Sequence, residues 1–283
     1  MSTSSVLGQG RTALVTGASR GIGPLIAGQI ASAGGHVVLT GRSAADLQAV
    51  ASGLAASGAD VSFIPADLTQ PGAAQFLAET VQKEHGGIDL LVNNAGGDPL
   101  REFHTTTIEE NLRTLQLNLI APVTLTHAAL PGMLRRGRGH IVNVSAMAGR
   151  VSFPYTEVYA AAKDGLIGFT RVLRGDYHAR GVSASVLILG AIRGRGQGQR
   201  MLDESGMKAS GFMAPAEAVA RAVIKAVQKD RGELVIQPGP GRLLRAVIDY
   251  FPVLGPALNR AAGATTTMQK IIEQREAKSD AAA

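Results

Sequence analysis

The feature that most constrains the fold is a regular alternation of short apolar runs with longer segments of helical period. Seven runs rich in Val, Ile and Leu have the length of buried strands, at residues 11–16, 36–40, 60–64, 88–93, 139–145, 182–188 and 233–236. Segments of helical period lie between them, at 22–33, 44–57, 71–85, 107–131, 155–178 and 215–229. This order is typical of βαβ units. The sequence therefore predicts an α/β fold with a doubly wound, seven-stranded, mostly parallel sheet and helices on both faces.

The pattern also predicts how the chain is divided. With 283 residues, 45% of them hydrophobic, the chain is long enough for one large core, which we assign to a single domain at 1–237. Residues 238–283 then form a C-terminal helical extension. Apolar residues between 243 and 251 recur at helical spacing, which predicts an amphipathic helix packed on its own or a neighbouring subunit. A membrane-surface or substrate-lid role is the alternative.

A glycine-rich turn follows the first predicted strand. Gly17, Gly21 and Gly23 lie between that strand and the first predicted helix. Glycines at such a turn let the backbone approach a pyrophosphate, whose charge is stabilised by the free N–H groups and the dipole of the helix start. The turn therefore predicts a dinucleotide site in a Rossmann-like domain, at the carboxyl ends of the strands near the point where the strand order reverses.

The end of the second predicted strand indicates which dinucleotide binds. A free ribose 2′-hydroxyl is usually bound by a carboxylate, and a 2′-phosphate by arginine. The sequence has Arg42 there and no acidic residue, while Arg20 lies inside the glycine turn. Two guanidinium groups can hold a phosphate through paired hydrogen bonds, so we predict NADP(H) rather than NAD(H). The alternative is that Arg42 is simply a solvated residue before the next helix.

Tyr159 and Lys163 form a candidate catalytic pair. They are four residues apart in the predicted helix 155–178 and therefore lie on one face of it. A phenol with an ordinary pKa of about 10 transfers protons poorly near neutral pH. A neighbouring ammonium, together with the positive ring of a cofactor in its oxidised state, favours the phenolate, so we predict a lowered pKa for Tyr159. The same spacing also occurs by chance on ordinary helices.

In combination, these motifs resemble the short-chain dehydrogenase/reductase family over residues 10–237. The matching motifs are TGASRGIG at 16–23, Asp67-Leu68, NNAG at 93–96, Asn118 within LQLNLIAP, and Tyr159-x-x-x-Lys163. The resemblance implies that Tyr159 is the proton donor, that Lys163 also holds the nicotinamide ribose, and that Asn118 ties Lys163 to a chain of water molecules.

The resemblance also implies the residues that bind the cofactor. Asp67 and Leu68 would lie by the adenine, and Ile192 would contact the nicotinamide end. The full implied set is Gly17, Ala18, Ser19, Arg20, Gly21, Ile22, Gly23, Arg42, Asp67, Leu68, Asn94, Ala95, Gly96, Tyr159, Lys163 and Ile192.

The chain departs from the family where the substrate oxygen is held. The resemblance implies a serine thirteen residues before the tyrosine, and that position is Ala146. Ser145 is adjacent, but neighbouring side chains of a strand point to opposite faces, so we expect its hydroxyl to face away from the substrate. Three other hydroxyl groups are close in sequence: Ser152, Tyr155 and Thr156. We favour Tyr155, which would lie one helical turn before the catalytic tyrosine.

Two further departures follow the sixth predicted strand. Leu189 replaces the proline of a Pro-Gly pair, and Gly194 replaces a hydroxyl residue that helps to orient the nicotinamide. Several departures together favour natural divergence over one engineered substitution.

We predict an NADP(H)-dependent oxidoreductase that interconverts a ketone and a secondary alcohol. The alternatives are an imine reductase of the same fold, since an imine needs no hydroxyl to hold an oxygen, and a catalytically weak NADP-binding regulatory protein.

Composition restricts the partners. The net charge of +6 permits an anionic ligand, and the Arg-Gly segment 193–200 is either a lid over such a substrate or a solvated loop. Nucleic acid is not expected, because aromatic residues make up only 4% of the chain. The six histidines are scattered and cysteine is absent, so we predict no metal site and no disulfide.

The expected setting is cytoplasmic. The N-terminus lacks the charged and apolar regions of a signal peptide, and the apolar runs are too short for a transmembrane segment. The expected partner is a small carbonyl or alcohol substrate. The resemblance further implies a homodimer or homotetramer formed through helices 107–131 and 155–178.

Overall fold

A parallel sheet occupies the centre of the computed structural model, which describes residues 6–206, 213–239, 247–248, 250–251, 253–261 and 263–280. The strands are β1 (Thr12–Thr16), β2 (His36–Gly41), β3 (Val61–Pro65), β4 (Leu90–Asn93), β5 (Gly139–Ala146), β6 (Val182–Leu189), β7 (Ile192–Arg193), β8 (Ala214–Pro215) and β9 (Glu233–Ile236). The sheet has the order β3-β2-β1-β4-β5-β6-β9, and all its pairings are parallel. The predicted Rossmann-like, seven-stranded fold is confirmed.

The helices follow the strands in alternation. They are α1 (Gly23–Ala31), α2 (Ala44–Ala55), α3 (Ala73–His85), α4 (Ile108–Leu115), α5 (Ala121–Arg136), α6 (Ala148–Val151), α7 (Glu157–Tyr177), α8 (Gln197–Ser205), α9 (Ala216–Gln228), α10 (Leu254–Ala261) and α11 (Ala264–Asp280). The predicted helix 107–131 is instead α4 and α5 joined by a π-helical turn, Gln116–Ile120. It continues past Pro131 to Arg136, before Gly137 in a left-handed conformation.

Alternation along the strands directs side chains into two cores. Val15 and Leu39 are fully buried against α1, α2 and α9, while Leu14 and Val38 are fully buried against α3, α5 and α7. Each such side chain contributes about 1.5–3 kcal/mol through removal of apolar surface from water. Because both faces of the sheet are covered, ligands have access only at its ends.

The stretch Ile108–Arg136 is apolar and long enough to cross a membrane, judged by length and composition alone. In the fold, α5 packs on α3, and its Leu125 and Met133 are fully buried in the core on that face of the sheet. Packing within the domain accounts for part of the apolar character of this stretch, while Ile108 and Leu112 on α4 remain exposed.

The helices near the C-terminus pack over loops at the carboxyl ends of the strands. The side-chain amide of Asn259 in α10 donates to the carbonyl oxygens of Val151 and Ser152, at 2.8 and 2.9 Å. In α11, Ile271 packs in a buried cluster with Leu100. The amphipathic helix predicted at 243–251 lies outside the described residues, apart from 247–248 and 250–251.

Candidate active site

The glycine turn joins β1 to α1. Gly17 has a φ of +66°, and a Cβ on it would lie 2.8 Å from the Cα of Ala95, while a Cβ on Gly23 would overlap the carbonyl oxygen of Gly17. Both positions therefore require glycine. No described side chain caps α1. Pro24 has no N–H and the N–H of Leu25 donates to the carbonyl oxygen of Ile22 at 3.1 Å, so an anion here would meet the helix dipole and the N–H groups that precede Pro24.

Hydrogen bonds between β1 and β4 brace this turn. The hydroxyl of Thr16 accepts hydrogen bonds from the backbone N–H groups of Asn94 and Ala95, at 3.0 and 2.9 Å. The side-chain amide of Asn94 donates to the carbonyl oxygen of Thr16 at 2.9 Å. Asn94, expected to line the cofactor, has its amide engaged by the backbone of the turn. Thr16, which lies directly before Gly17, was not identified as a site residue from the sequence.

The two arginines expected to bind a 2′-phosphate lie in different surroundings. Arg42 is exposed at the end of β2 and near Asp67. Burial alone would raise the pKa of Asp67, but hydrogen bonds from Thr69 and then the charge of Arg42 outweigh it and lower the pKa. Arg20 is exposed on the glycine turn, near Arg200 of α8.

The segment before α8 lies over the glycine turn. A Cβ built on Gly196 would be 3.6 Å from the side chain of Ile22, and one built on Gly21 would be 3.6 Å from the Cα of Gly196. The segment 193–200, expected to be a lid or a solvated loop, is helical from Gln197, and the helix continues to Ser205. Gly, Gln and Arg side chains obscure a helical pattern in this part of the sequence. Arg200, which belongs to this segment, lies near Arg20 of the glycine turn.

The remaining cofactor candidates line the same end of the sheet. Ala18 is fully buried, and its N–H donates to the carbonyl oxygen of Thr40 at 2.9 Å. A Cβ on Gly41 would lie 3.0 Å from the hydroxyl of Ser19, so Gly41 leaves room for that side chain. Leu68 and Ile192 are buried, which limits each to contact through a small exposed area.

Two of the catalytic candidates, Asn118 and Lys163, approach Gly96, and Lys163 links them to the third, Tyr159. A Cβ built on Gly96 would be 2.7 Å from Oδ1 of Asn118 and 3.0 Å from Nζ of Lys163. The ammonium of Lys163 lies 5.5 Å from the ring centroid of Tyr159 and donates to the carbonyl oxygen of Val144 at 3.0 Å. The lysine is thus tied to β5 while it faces the tyrosine ring.

Asn118 owes its position to the π-helical turn between α4 and α5. It is fully buried, and its side-chain amide donates to the carbonyl oxygens of Thr114 and Gly97, at 2.9 and 2.8 Å. Its Oδ1 accepts from the N–H of Gly97 at 3.2 Å. Single π-helical turns within α-helices are frequent at functional sites, and this one connects the helix to the loop that follows β4.

The titration of the pair differs from expectation. Burial, and then the charge of Asp98, raise the pKa of Tyr159, so the prediction of a lowered pKa is wrong for the residues of the chain itself. Burial also lowers the pKa of Lys163 to about 8. Desolvation penalises both charged forms, and it outweighs the attraction between ammonium and phenolate.

Ala146 lies at the carboxyl end of β5, at the position where the resemblance implies a serine. The side chain of Ser145 lies on the opposite face of the strand from that of Ala146, as strand alternation predicts, and its hydroxyl donates to the carbonyl oxygen of Lys163 at 2.7 Å. The hydroxyl of Thr156 is engaged by the carbonyl oxygen of Phe153 at 2.8 Å. These two hydroxyl groups are therefore committed to the backbone.

Of the other two hydroxyl candidates, Ser152 is exposed and follows α6. Tyr155 lines a small pocket together with Tyr159, but it precedes α7, which begins at Glu157, and it has a φ of +60°. The expectation that Tyr155 lies one helical turn before Tyr159 is therefore wrong. The ring of Tyr155 packs on the apolar cluster around Leu100.

Asp98 is the residue of this pocket that sequence reasoning missed. It lines the pocket with Tyr155 and Tyr159, and its charge acts on the Tyr159 phenol. Burial raises the pKa of Asp98 to about 6. The available signal was its place in the chain, two residues after the NNAG motif.

Comparisons with known proteins show which family the chain resembles. The family model for short chain dehydrogenase matches residues 11–205. The ketoacyl reductase HetN of Nostoc sp. is 33% identical over 273 residues, which are 94% of each chain. The 3-oxoacyl-[acyl-carrier-protein] reductase FabG of Vibrio cholerae is 35% identical over 184 residues, 65% of this chain and 74% of its own.

A solved structure extends the likeness to three dimensions. The crystal structure of a metagenomic short-chain oxidoreductase in complex with NADP superposes with a TM-score of 0.71 at 32% identity. The aligned region covers 83% of this chain and 99% of the chain of that structure. The chain therefore belongs to the short-chain dehydrogenase/reductase family of oxidoreductases.

Proposed function

We propose that the protein is an NADP(H)-dependent oxidoreductase that interconverts a ketone and a secondary alcohol, with Tyr159 as the proton donor. The proposal depends on one arrangement beside the glycine turn: Asn118 and Lys163 approach Gly96, and the ammonium of Lys163 lies 5.5 Å from the ring centroid of Tyr159. Two of the similar proteins are named as ketoacyl reductases, which supports a carbonyl group as the substrate.

The residues of the glycine turn fit a nicotinamide dinucleotide. Gly17 and Gly23 leave space that a Cβ would fill, and the open start of α1 suits a pyrophosphate. A dinucleotide bound there supplies or accepts the hydride. Exposed guanidinium groups at Arg20 and Arg42 support the phosphorylated form, as does the similar structure solved with NADP.

The pKa of Tyr159 sets a condition on its role as proton donor. Burial raises that pKa, which keeps the phenol protonated but makes it a weak acid, so proton transfer requires stabilisation of the phenolate. The pKa of Lys163, about 8, leaves its ammonium charged at neutral pH. The ammonium near the phenol ring then stabilises the phenolate that remains after the transfer.

The small pocket beside Tyr159 has a mixed lining. Its lining includes Phe103, Tyr155 and Val158 beside Tyr159. The apolar cluster between Leu100 and α11 lies behind the same loop. Asp98, Arg101, Asn111 and Glu157 also line it, so the pocket offers a ketone both apolar contacts and polar groups.

We also propose that the enzyme is a cytoplasmic homodimer or homotetramer. Ile108 and Leu112 on α4 and Val172 on α7 are all more than half exposed. Apolar side chains exposed on these two helices support an interface with a second copy. Light scattering on the purified protein tests the assembly.

Oxidation of NADPH in the presence of ethyl acetoacetate tests the activity. Tyr159→Phe removes the proton donor, so kcat/KM falls at least about a hundredfold while NADPH binding, measured by fluorescence, persists. Tyr177→Phe on the same helix is the matched control. Equal kcat/KM for Tyr159→Phe and the parent would overturn the proposed role.

The same assay separates the other two candidates, both motivated by Ala146. Turnover of 2-methylpyrroline with no turnover of any ketone identifies an imine reductase. NADPH binding with background turnover of both substrate classes identifies a regulatory protein.

A further inference from the structure

The loop after β4 is held in a strained conformation. Leu100 has a φ of +52°, which a leucine side chain disfavours, yet that side chain is fully buried against Met268, Ile271 and Ile272 of α11. Backbone strain of this kind persists only where the surrounding structure enforces it, and it concentrates at functional sites.

Other contacts fix the same loop. The side-chain amide of Gln197 donates to the carbonyl oxygen of Asp98 at 3.4 Å, and the guanidinium of Arg275 donates to the carbonyl oxygen of Pro99 at 2.6 Å. The N–H of Leu100 donates to Oδ1 of Asp98 at 3.0 Å. The carboxyl group of Asp98 is therefore oriented by backbone geometry and cannot turn freely.

This orientation leaves one oxygen of Asp98 without a protein partner. Oδ2 is buried, and no described residue forms a hydrogen bond with it. A buried polar atom left unpaired costs about 1–3 kcal/mol, so its persistence calls for a functional reason. Asp98 lines the same pocket as Tyr159, and the charge of Asp98 raises the pKa of the Tyr159 phenol.

The charged groups around Asp98 oppose one another. Glu157 on α7 disfavours ionisation of Asp98, and Arg275 on α11 favours it. Arg101, on the rim of the pocket, is paired with Glu110 at 2.9 Å. Burial is the largest effect, and it raises the pKa of Asp98 to about 6. A neutral carboxylic acid is thus accessible near neutral pH, and such a group has a hydrogen-bond donor that a carboxylate lacks.

We propose that Asp98 donates, through Oδ2–H, the second hydrogen bond to the substrate carbonyl oxygen, in place of the serine hydroxyl that Ala146 lacks. The inference rests on the proposed ketone reduction. During reduction, the hydride adds to the carbonyl carbon and the proton on the new hydroxyl comes from Tyr159. Asp98 keeps its own proton and stabilises the oxygen while negative charge develops there.

Substitutions test this role with NADPH and ethyl acetoacetate. Loss of one donor to a developing oxyanion costs about a hundredfold or more in kcat, so we expect Asp98→Ala to lower kcat by that factor. Adding Ala146→Ser to Asp98→Ala places a hydroxyl at the position of the family's serine, and this double variant should have a kcat at least tenfold higher than that of Asp98→Ala. Asp176→Ala, an exposed carboxylate on α7, is the matched control. Thermal melting of each variant verifies folding.

The pH profile supplies a second readout. The parent kcat/KM for reduction should fall as pH rises through about 6, because the acid form is lost. Asp98→Asn keeps an N–H donor that does not titrate, so its profile should be flat there. Independently of activity, ¹³C NMR of labelled aspartate should show one carboxyl group titrating near pH 6 in the parent and none in Asp98→Asn.

The outcomes separate the two proposals. A parent that reduces ethyl acetoacetate, with Asp98→Ala at parental kcat/KM or with no gain on adding Ala146→Ser, overturns the role of Asp98 alone. So does a parent whose profile is flat around pH 6. A parent inactive toward every ketone overturns the proposed function, and the role of Asp98 with it.

Discussion

The hydroxyl of Ser145 donates a 2.7 Å hydrogen bond to the backbone carbonyl oxygen of Lys163. Ser145 is almost fully buried, so this bond ties β5 to α7 inside the protein. The ammonium of Lys163 returns to β5 and donates to the carbonyl oxygen of Val144 at 3.0 Å. Ser145, next to Ala146, therefore helps to position Lys163, and its hydroxyl is occupied by this hydrogen bond.

Ser145→Ala should destabilise the protein without removing a group that touches the substrate. A net intramolecular hydrogen bond contributes about 1 kcal/mol, so the free energy of unfolding in urea should fall by about that amount. Ser57→Ala, at an exposed position, should change it by less than about 0.5 kcal/mol. Equal stability of Ser145→Ala and the parent would show that the bond contributes nothing.

Lys163→Met should stabilise the protein while it abolishes reduction. The folded-state pKa of about 8 lies below the ordinary 10.5, so the unfolded chain binds more protons between these values and parental stability rises with pH there. At pH 7 burial of the charged amine lowers the free energy of unfolding of the parent by at most about 3 kcal/mol. The variant avoids this cost but loses about 1 kcal/mol with the hydrogen bond to Val144.

Urea denaturation from pH 7 to 10.5 measures the difference between Lys163→Met and the parent. The advantage of the variant should shrink as pH rises through this range. A constant difference would contradict a lowered pKa for Lys163. Exposed Lys270 gives the matched control, Lys270→Met.

The strands were predictable because burial on both faces makes each of them a short apolar run between polar turns. The glycine turn was predictable for a related reason, since the backbone at Gly17 and Gly23 tolerates no side chain. The helix α8 was not predictable, because its residues carry polar and glycine side chains that obscure a helical period.

The chemistry of the pocket depends on features that spacing does not encode. The distance of four residues between Tyr159 and Lys163 correctly predicts a shared helix face, but the direction of the Tyr159 pKa shift depends on burial, which tertiary packing decides. Asp98 acquires its orientation from the left-handed backbone at Leu100 and from α11, far along the chain.

Asp98→Asn should raise stability at alkaline pH. The folded-state pKa of about 6 lies above the ordinary 3.8, so the unfolded chain binds fewer protons between these values and parental stability falls as pH rises through them. At pH 8 the variant should be more stable by at most about 3 kcal/mol. Thermal and urea unfolding at pH 4 and pH 8 measure this, and an equal difference at both would contradict the raised pKa.

Arg42→Ala should weaken NADPH binding and leave NADH binding nearly unchanged. A charge-assisted hydrogen bond contributes about 1.5–3 kcal/mol, so the Kd for NADPH should rise about tenfold to a hundredfold. Arg113→Ala, at an exposed position on α4, is the control. Fluorescence titration with both cofactors measures the Kd values, and a parallel loss for NADPH and NADH would remove Arg42 from contact with the 2′-phosphate.

Ile271→Ala tests whether α11 holds the loop that carries Asp98. Ile271 and Leu100 are both almost fully buried in one small cluster, so the truncation leaves a cavity beneath α11. Because α11 lies at the edge of the fold, we expect its amide protection from hydrogen exchange to fall while that of the central strands is retained. Release of the strained Leu100 should then raise KM for ethyl acetoacetate severalfold, whereas Lys270→Ala on the exposed face of α11 should alter neither quantity. Loss of α11 protection with an unchanged KM would separate the helix from the pocket, and Asp98 would then owe its orientation to the hydrogen bonds of the loop alone.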